Sequence, residues 1–200
     1  MCPPLPTKST VEEELRRKRV VAEKKTDLER WRNPQNLDAA WGQRAQFVAR
    51  FVPRQVSLLD LGCGAMQIEK FLQAGTAYIP CDLVPRDGRT LVCDFNKEGV
   101  PQLPGVGAVT VLGVLEYIQD APSFIRSLRL YNVPVLISYC PTDLTSHLDR
   151  EAQGWVNHFS LAFLSQLIES SGFGITRCEH IDDVQTLFCL EPSQVSPVRK

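Results

Sequence analysis

The chain has 200 residues, 44% hydrophobic and 22% charged, with a formal net charge of −1, so it holds one domain of ordinary composition with no basic excess for nucleic acid or an anionic membrane. No apolar run nears the roughly 20 residues of a membrane span, and "MCPPLPTKST" lacks the apolar segment of a secretory signal. Seven cysteines, at positions 2, 63, 81, 93, 140, 178 and 189, form no CxxC pair and mostly sit in apolar runs, which argues for reduced core thiols in a cytoplasmic protein and against zinc.

In chain order, residues 1–8 carry three prolines and are expected to be loose. The charged stretch "STVEEELRRKRVVAEKKTDLERW" predicts a helix capped by Ser9 or Thr10, laced with Glu-to-Lys/Arg pairs. Its apolar positions (Val11, Leu15, Val20, Val21, Leu28) are too sparse for a core, leaving a solvated arm or a cap folding over a substrate pocket. Nine Lys/Arg against six acids between Lys8 and Arg32 suit a solvated helix better than a phosphate contact. After the break at Asn33-Pro34, "LDAAWGQRAQFVARFV" predicts a second helix with a broad apolar face that includes Leu37, Trp41, Ala45 and Val48.

From there strands and helices alternate. Strand 57–61 precedes a helix over 66–73, then come "AYIPCDL", "TLVCDF" and "GAVTVLGVL" as strands, and a helix over 121–130 with Pro122 in its first turn. "VPVLISYC" is a strand apolar on both faces, "SLAFLSQLIESSGF" an amphipathic helix capped by Ser160 and ended near Gly172, and "ITRCEHI" and "QTLFCLEP" a final antiparallel pair. This pattern predicts an α/β three-layer sandwich with a doubly wound, mostly parallel sheet. The expected division is an arm over 1–35, a main domain over 36–194 and a tail over 195–200.

In such sheets ligands bind beyond the C-terminal strand ends. Those ends carry Asp60, Gly62, Cys63 and Gly64; Asp82 and Leu83; Asp94 and Phe95; Leu112, Gly113, Glu116 and Tyr117; and Tyr139 to Asp143. Glycines let a ligand approach the first turn. Asp82 is placed to accept from a ribose diol, and Asp94 beside Phe95 to accept from an exocyclic amine, a combination that suits a nucleoside. A nicotinamide dinucleotide loop would need glycine at the sixth position of GxGxxG, where this chain has Gln67.

"LLDLGCG", "CDLVPRD", "VCDFN" and "VLGVLEYIQD", with the later "WVNHFSLAFLSQLIESSGF", resemble class I S-adenosylmethionine-dependent methyltransferases of small molecules, from about Leu37 to Pro192. The resemblance implies a seven-stranded sheet with the last strand antiparallel. It further implies that Asp60, Gly62 and Gly64 line the methionine end and Asp82 holds the ribose. Asp94 and Phe95 would then flank adenine, while Leu112, Gly113 and Tyr117 run along the sulfonium. Met66 stands where the usual nucleotide loop has a third glycine.

Methyl transfer needs alignment of acceptor and donor, and a base only for a hydroxyl acceptor. Candidate bases are Glu116, Tyr117, Asp143, His147 and His158; His158 is favoured because it titrates near neutrality and precedes a helix start, with Tyr117 as the second catalytic candidate. The expected acceptor is a small molecule or glycan-like oxygen or nitrogen. The (D/N/S)PP(Y/F) signature of base-amino methylation is absent from "GVLEYI", which disfavours an RNA-modifying enzyme. A cofactor-binding but non-catalytic partner subunit, docking through the N-terminal arm, is the alternative.

Overall fold

The fold was taken from a computed structural model that describes residues 11–193. The loose segment 1–8, the caps Ser9 and Thr10, Cys2 and the tail 195–200 lie outside the described residues. Helix α1 (Val11–Ala22) and the short α2 (Leu28–Arg32) are followed by a 3-10 turn at Pro34–Asn36 and by α3 (Trp41–Ala49). The rest alternates: β1 (Ser57–Leu61), β2 (Ala77–Asp82), β3 (Leu91–Val92), β4 (Ala108–Leu112), α4 (Ala121–Leu128), β5 (Val135–Tyr139), α5 (Thr142–Thr145), α6 (Leu161–Ser170), β6 (Phe173–His180) and β7 (Thr186–Pro192).

The seven strands form one sheet in the order β3-β2-β1-β4-β5-β7-β6. β1 to β5 pair in parallel, and β7, last in the chain, inserts antiparallel between β5 and β6. This is the doubly wound, seven-stranded arrangement expected. The pleat explains why both faces are covered: successive residues point to opposite sides, so Leu58 joins Ala45, Val48, Ile68 and Leu136 on the α3 side. Leu59 and Leu61 join Phe124, Ile125, Leu128, Leu164 and Ile168 on the side of α4 and α6. β4 and β5 are buried at every residue, as continuous apolar runs between two helical layers should be.

Helix starts follow local chemistry. Asp120 accepts from the Ser123 amide to cap α4, with Pro122 in the first turn, and Ser160 accepts from the Phe163 amide to cap α6. Two expected helices are shorter. The one at 66–73 is a 3-10 turn over Gln67–Phe71, bounded by the left-handed Met66 (φ 52°) and by Leu72, which is already extended (φ −69°, ψ 147°). The one expected from Leu37 begins at Trp41, since Asp38 caps a tight turn by accepting from the Ala40 amide at 2.8 Å. A 3-10 turn at Leu115–Tyr117 and α5 were not foreseen.

Among the described residues, no helix is long and apolar enough to cross a membrane. Cys63, Cys81, Cys93, Cys140 and Cys189 are buried and Cys178 is exposed, all as free thiols. Burial pushes Cys93 and Cys189 up to about 11, so they stay protonated at neutral pH.

Candidate active site

A cavity with about 930 Å³ of empty space, part of it open to solvent, lies at the C-terminal ends of β1, β2 and β4. Every residue expected to touch a nucleoside ligand lines it: Asp60, Gly62, Cys63, Gly64, Asp82, Leu83, Asp94, Phe95, Leu112, Gly113 and Tyr117. Other side chains share the wall, among them Asn96 next to Phe95 and, from outside the strand ends, Thr26 and Trp31 from the arm, Trp41 and Arg44 from α3, and Arg86 after β2. Trp31 and Trp41, on either side of the Asn33-Pro34 break, were the signal available in the sequence; Trp41 had been assigned to a packing face.

The glycine turn is left-handed at Gly62 (φ +77°), Gly64 (φ +51°) and Met66 (φ +52°). A Cβ at Gly62 would lie 2.2 Å from Val114 Cγ2, so only glycine fits. The Gly62 and Cys63 amides both donate to the Cys81 carbonyl, at 2.8 and 3.0 Å, fastening the turn to the end of β2. Met66 explains itself here: glycine at this place relieves a left-handed backbone, and methionine holds that conformation under strain. Its side chain is outside the cavity wall, with Sδ 4.0 Å from Arg89 Nη2.

The three strand-end aspartates have different duties. Asp60 is buried and accepts from the hydroxyls of Tyr78 and Thr110, each at 2.7 Å, which makes it a buttress beneath the turn. Burial pushes its carboxyl above the usual range, and those two hydrogen bonds pull the other way. Asp82 Oδ2 accepts from the Gly64 amide at 2.8 Å, while Oδ1 accepts from Arg86 Nη2 at 3.0 Å and from the Val84 amide at 3.3 Å. Any further donor approaching Oδ1 therefore meets Arg86 already there. Asp94 accepts from Thr26 Oγ1 at 2.9 Å and from the Asn96 amide at 3.1 Å, and pairs with Lys97 at 3.0 Å. Phe95 packs on Phe124 with ring centroids 5.8 Å apart.

The arm closes over this floor. Trp31 meets the Tyr117 ring edge-on, with centroids 5.1 Å apart, and Arg86 Nη1 donates to the Trp31 carbonyl at 2.9 Å. Arg44 stands against Gly113, where a Cβ would lie 2.5 Å from Nη1, and its cation is 5.3 Å from the Trp41 ring centre. Its Nε is buried without a hydrogen-bond partner, and burial lowers its proton affinity.

The structure does not gather the candidate bases. Tyr117 is in the wall, but its hydroxyl accepts from Trp155 Nε1 at 3.2 Å, and burial raises its pKa, which disfavours the anion a base would need. Glu116 is buried behind the wall; Oε1 accepts from the Cys140 amide at 2.8 Å, Oε2 has no partner, and burial raises its pKa. Asp143 accepts from the Leu161 amide at 2.6 Å at the start of α6, and His147 is exposed. His158 is exposed and is not part of the cavity lining. The reason is local: the Val156 amide donates to Glu116 O at 2.8 Å and Asn157 Nδ2 to Leu115 O at 2.7 Å, turning 156–157 inward and the next side chain out.

No protein-family model and no curated protein matches the sequence. Solved structures do. The pyocyanin biosynthetic protein PhzM matches with a TM-score of 0.62 at 12% identity, over 80% of this chain and 57% of that one. The 1,6-didemethyltoxoflavin-N1-methyltransferase of Burkholderia thailandensis, solved with S-adenosylhomocysteine, matches with a TM-score of 0.63 at 15% identity, over 97% and 94% of the two chains. The magnesium protoporphyrin IX methyltransferase of Synechocystis PCC 6803, solved with S-adenosylmethionine, matches at 0.58 and 15% identity, over 94% and 100%. The chain thus spans a little over half of PhzM and nearly all of the other two. Its fold is that of the class I S-adenosylmethionine-dependent methyltransferases.

Proposed function

We propose that this protein is an enzyme that transfers a methyl group from S-adenosylmethionine to an oxygen or nitrogen of a small molecule. The observation that carries the reading is the convergence of eleven strand-end residues, drawn from four motifs, on one cavity. The cavity suits the donor on its own terms. The glycine turn presents backbone where a Cβ would collide, and Arg44 Nε and Gln67 Oε1, on two side chains that line the cavity, are buried without partners.

In this reading Gly62 and Gly64 admit the methionine end, and Arg44 faces its carboxylate. Asp82 takes the ribose, sharing or displacing Arg86, while Asp94 and Phe95 flank adenine. Leu112, Gly113 and Tyr117 border the sulfonium. The donor supplies an activated methyl: the acceptor's lone pair forms the new bond to carbon as the carbon–sulfur pair returns to sulfur, and the proton of a hydroxyl acceptor passes to solvent. The residues here align acceptor and methyl about 3 Å apart and exclude water. Tyr117 serves as wall and hydrogen-bond partner, and His158, being outside, is not assigned the proton.

Calorimetric titration with S-adenosylhomocysteine tests the donor claim: binding to the parent and loss of at least about tenfold affinity in Asp82→Ala, the loss of a charged hydrogen bond, are expected. Absence of binding by intact, folded protein sinks it. Turnover of labelled donor over a panel of acceptors then separates an enzyme from a cofactor-binding partner subunit, which binds without turnover.

A further inference from the structure

Arg44 and Gln67 line the cavity, and each carries a buried polar atom with nothing to bond to: Nε of Arg44, a donor, and Oε1 of Gln67, an acceptor. Buried orphans of this kind are uncommon, because each has given up its hydrogen bond to water without replacing it. Neither side chain is loose. Gln67 Nε2 donates to the Asp38 carbonyl at 3.3 Å, which turns Oε1 the other way, and a Cβ at Gly42 would lie 3.1 Å from that oxygen. Arg44 is hemmed in by Gly113 and the Trp41 ring, and its Nη1 reaches Gln185 Oε1 only at 3.4 Å. Among the described residues no carboxylate lies within ion-pair distance of it. Trp41 ties this stretch of wall to the glycine turn, since a Cβ at Gly64 would lie 4.0 Å from its Cζ3.

The acid that the resemblance sets at the methionine end is engaged elsewhere. Each Asp60 oxygen already accepts from a hydroxyl, of Tyr78 or Thr110, at 2.7 Å beneath the turn. Asp82 and Asp94 are assigned to the ribose and to adenine. An ammonium group at the methionine end therefore needs another acceptor. Among the described residues that line the cavity, Gln67 Oε1 is the buried side-chain oxygen left without a donor.

We infer that Arg44 and Gln67 together read the amino-acid end of the donor as a zwitterion, the Arg44 guanidinium taking the carboxylate and Gln67 Oε1 accepting from the ammonium. The inference rests on the methyl-transfer reading of the cavity and adds a selection to it. A nucleoside with both charged groups gives each orphan a charge-assisted partner. One with an uncharged tail leaves a buried cation without a counter-ion and a buried carbonyl without a donor, and is rejected.

Calorimetric titration of the full chain with S-adenosylhomocysteine, its desamino analogue, its decarboxylated analogue and methylthioadenosine, which has neither charged group, tests it. Methylthioadenosine should bind at least about a hundredfold more weakly than S-adenosylhomocysteine, and each single-group analogue at least about tenfold more weakly. The variants then sort the ligands by group. Arg44→Met should weaken the two that keep the carboxylate about tenfold and should not weaken the other two. Gln67→Met, of similar shape without the amide, should weaken the two that keep the amine about fivefold and spare the rest. The comparison of the four ligands on the parent decides the matter even where a variant does not fold. Methylthioadenosine bound as tightly as S-adenosylhomocysteine overturns the inference and leaves the nucleoside site standing. A loss equal across all four ligands in either variant also overturns it, being the mark of a merely structural role. No binding of any of the four by folded protein defeats the donor reading, and the inference with it.

Discussion

Beneath the cavity, β1, β2 and β4 end in packed chain: Leu58, Leu59 and Leu61 are fully buried, and each contributes about 1.5–3 kcal/mol by leaving water. Above it, neither α1 nor α2 has a single buried residue. The roof is held by polar links instead, among them Thr26 to Asp94, Gln119 to the Lys24 carbonyl and the Arg16–Asp27 pair. Such links contribute about 0.5–1.5 kcal/mol each, and exposed ion pairs about 1 kcal/mol or less. One wall of the site is thus set by burial and shares the stability of the core. The other rests on few, largely solvent-accessible polar links, the kind of contact that opens at lower free energy than a core.

The contrast can be broken first at the floor. Gly62→Ala should cost about 3 kcal/mol, because the methyl meets Val114 and the backbone is left-handed; urea denaturation measures it, and a loss below about 1 kcal/mol would mean that the floor yields. Asp27→Ala removes the α2 cap and both Arg16 bonds, for about 1–2 kcal/mol. That loss should appear as faster amide hydrogen exchange over residues 16–32, with β4 and β5 unchanged. Uniform acceleration through the sheet would show roof and floor to be one cooperative unit.

Two subtler variants sharpen the view of the floor. Burial raises the Glu116 pKa above its unfolded value, so its contribution to stability is full below pH about 4.3 and is lost as pH rises through the folded value. Glu116→Gln, permanently neutral and still an acceptor for the Cys140 amide, should therefore reduce the fall in urea midpoint between pH 5 and pH 8. Asp60, raised in the same direction, leaves a residual slope. Met66→Gly should have the smallest effect, a gain of at most about 1 kcal/mol, since relief of the left-handed backbone is partly offset by the freer unfolded chain.

The same contrast decides what the sequence disclosed. Burial leaves a periodic trace, so the strands, their order of alternation and the glycines and aspartates at their ends were legible, and all eleven residues tied to the nucleoside met in one place. Polar bonds between distant side chains leave none. Nothing in "RWRNPQNLDAAW" says that Trp31 will lean on Tyr117, or that Arg86 will reach the Trp31 carbonyl. His158 lies outside the cavity for a related reason: neighbours in sequence share a place in the chain but alternate in direction, and Asn157 took the inward one. The 3-10 turn after the glycine loop shows the limit of pattern as well, since its apolar residues sufficed for burial of Ile68 but the left-handed Met66 and the extended Leu72 hold it to five residues.

Arg86 is the exception to the separation, for it grips Asp82 on the floor with one nitrogen and the Trp31 carbonyl in the roof with another. Whatever competes for that carboxylate also works on the hold over α2, and thermodynamic reciprocity makes the influence equal in both directions. A single guanidinium thereby turns two separately held walls into a lever, with the Asp82 carboxylate at one end and the backbone of Trp31 at the other.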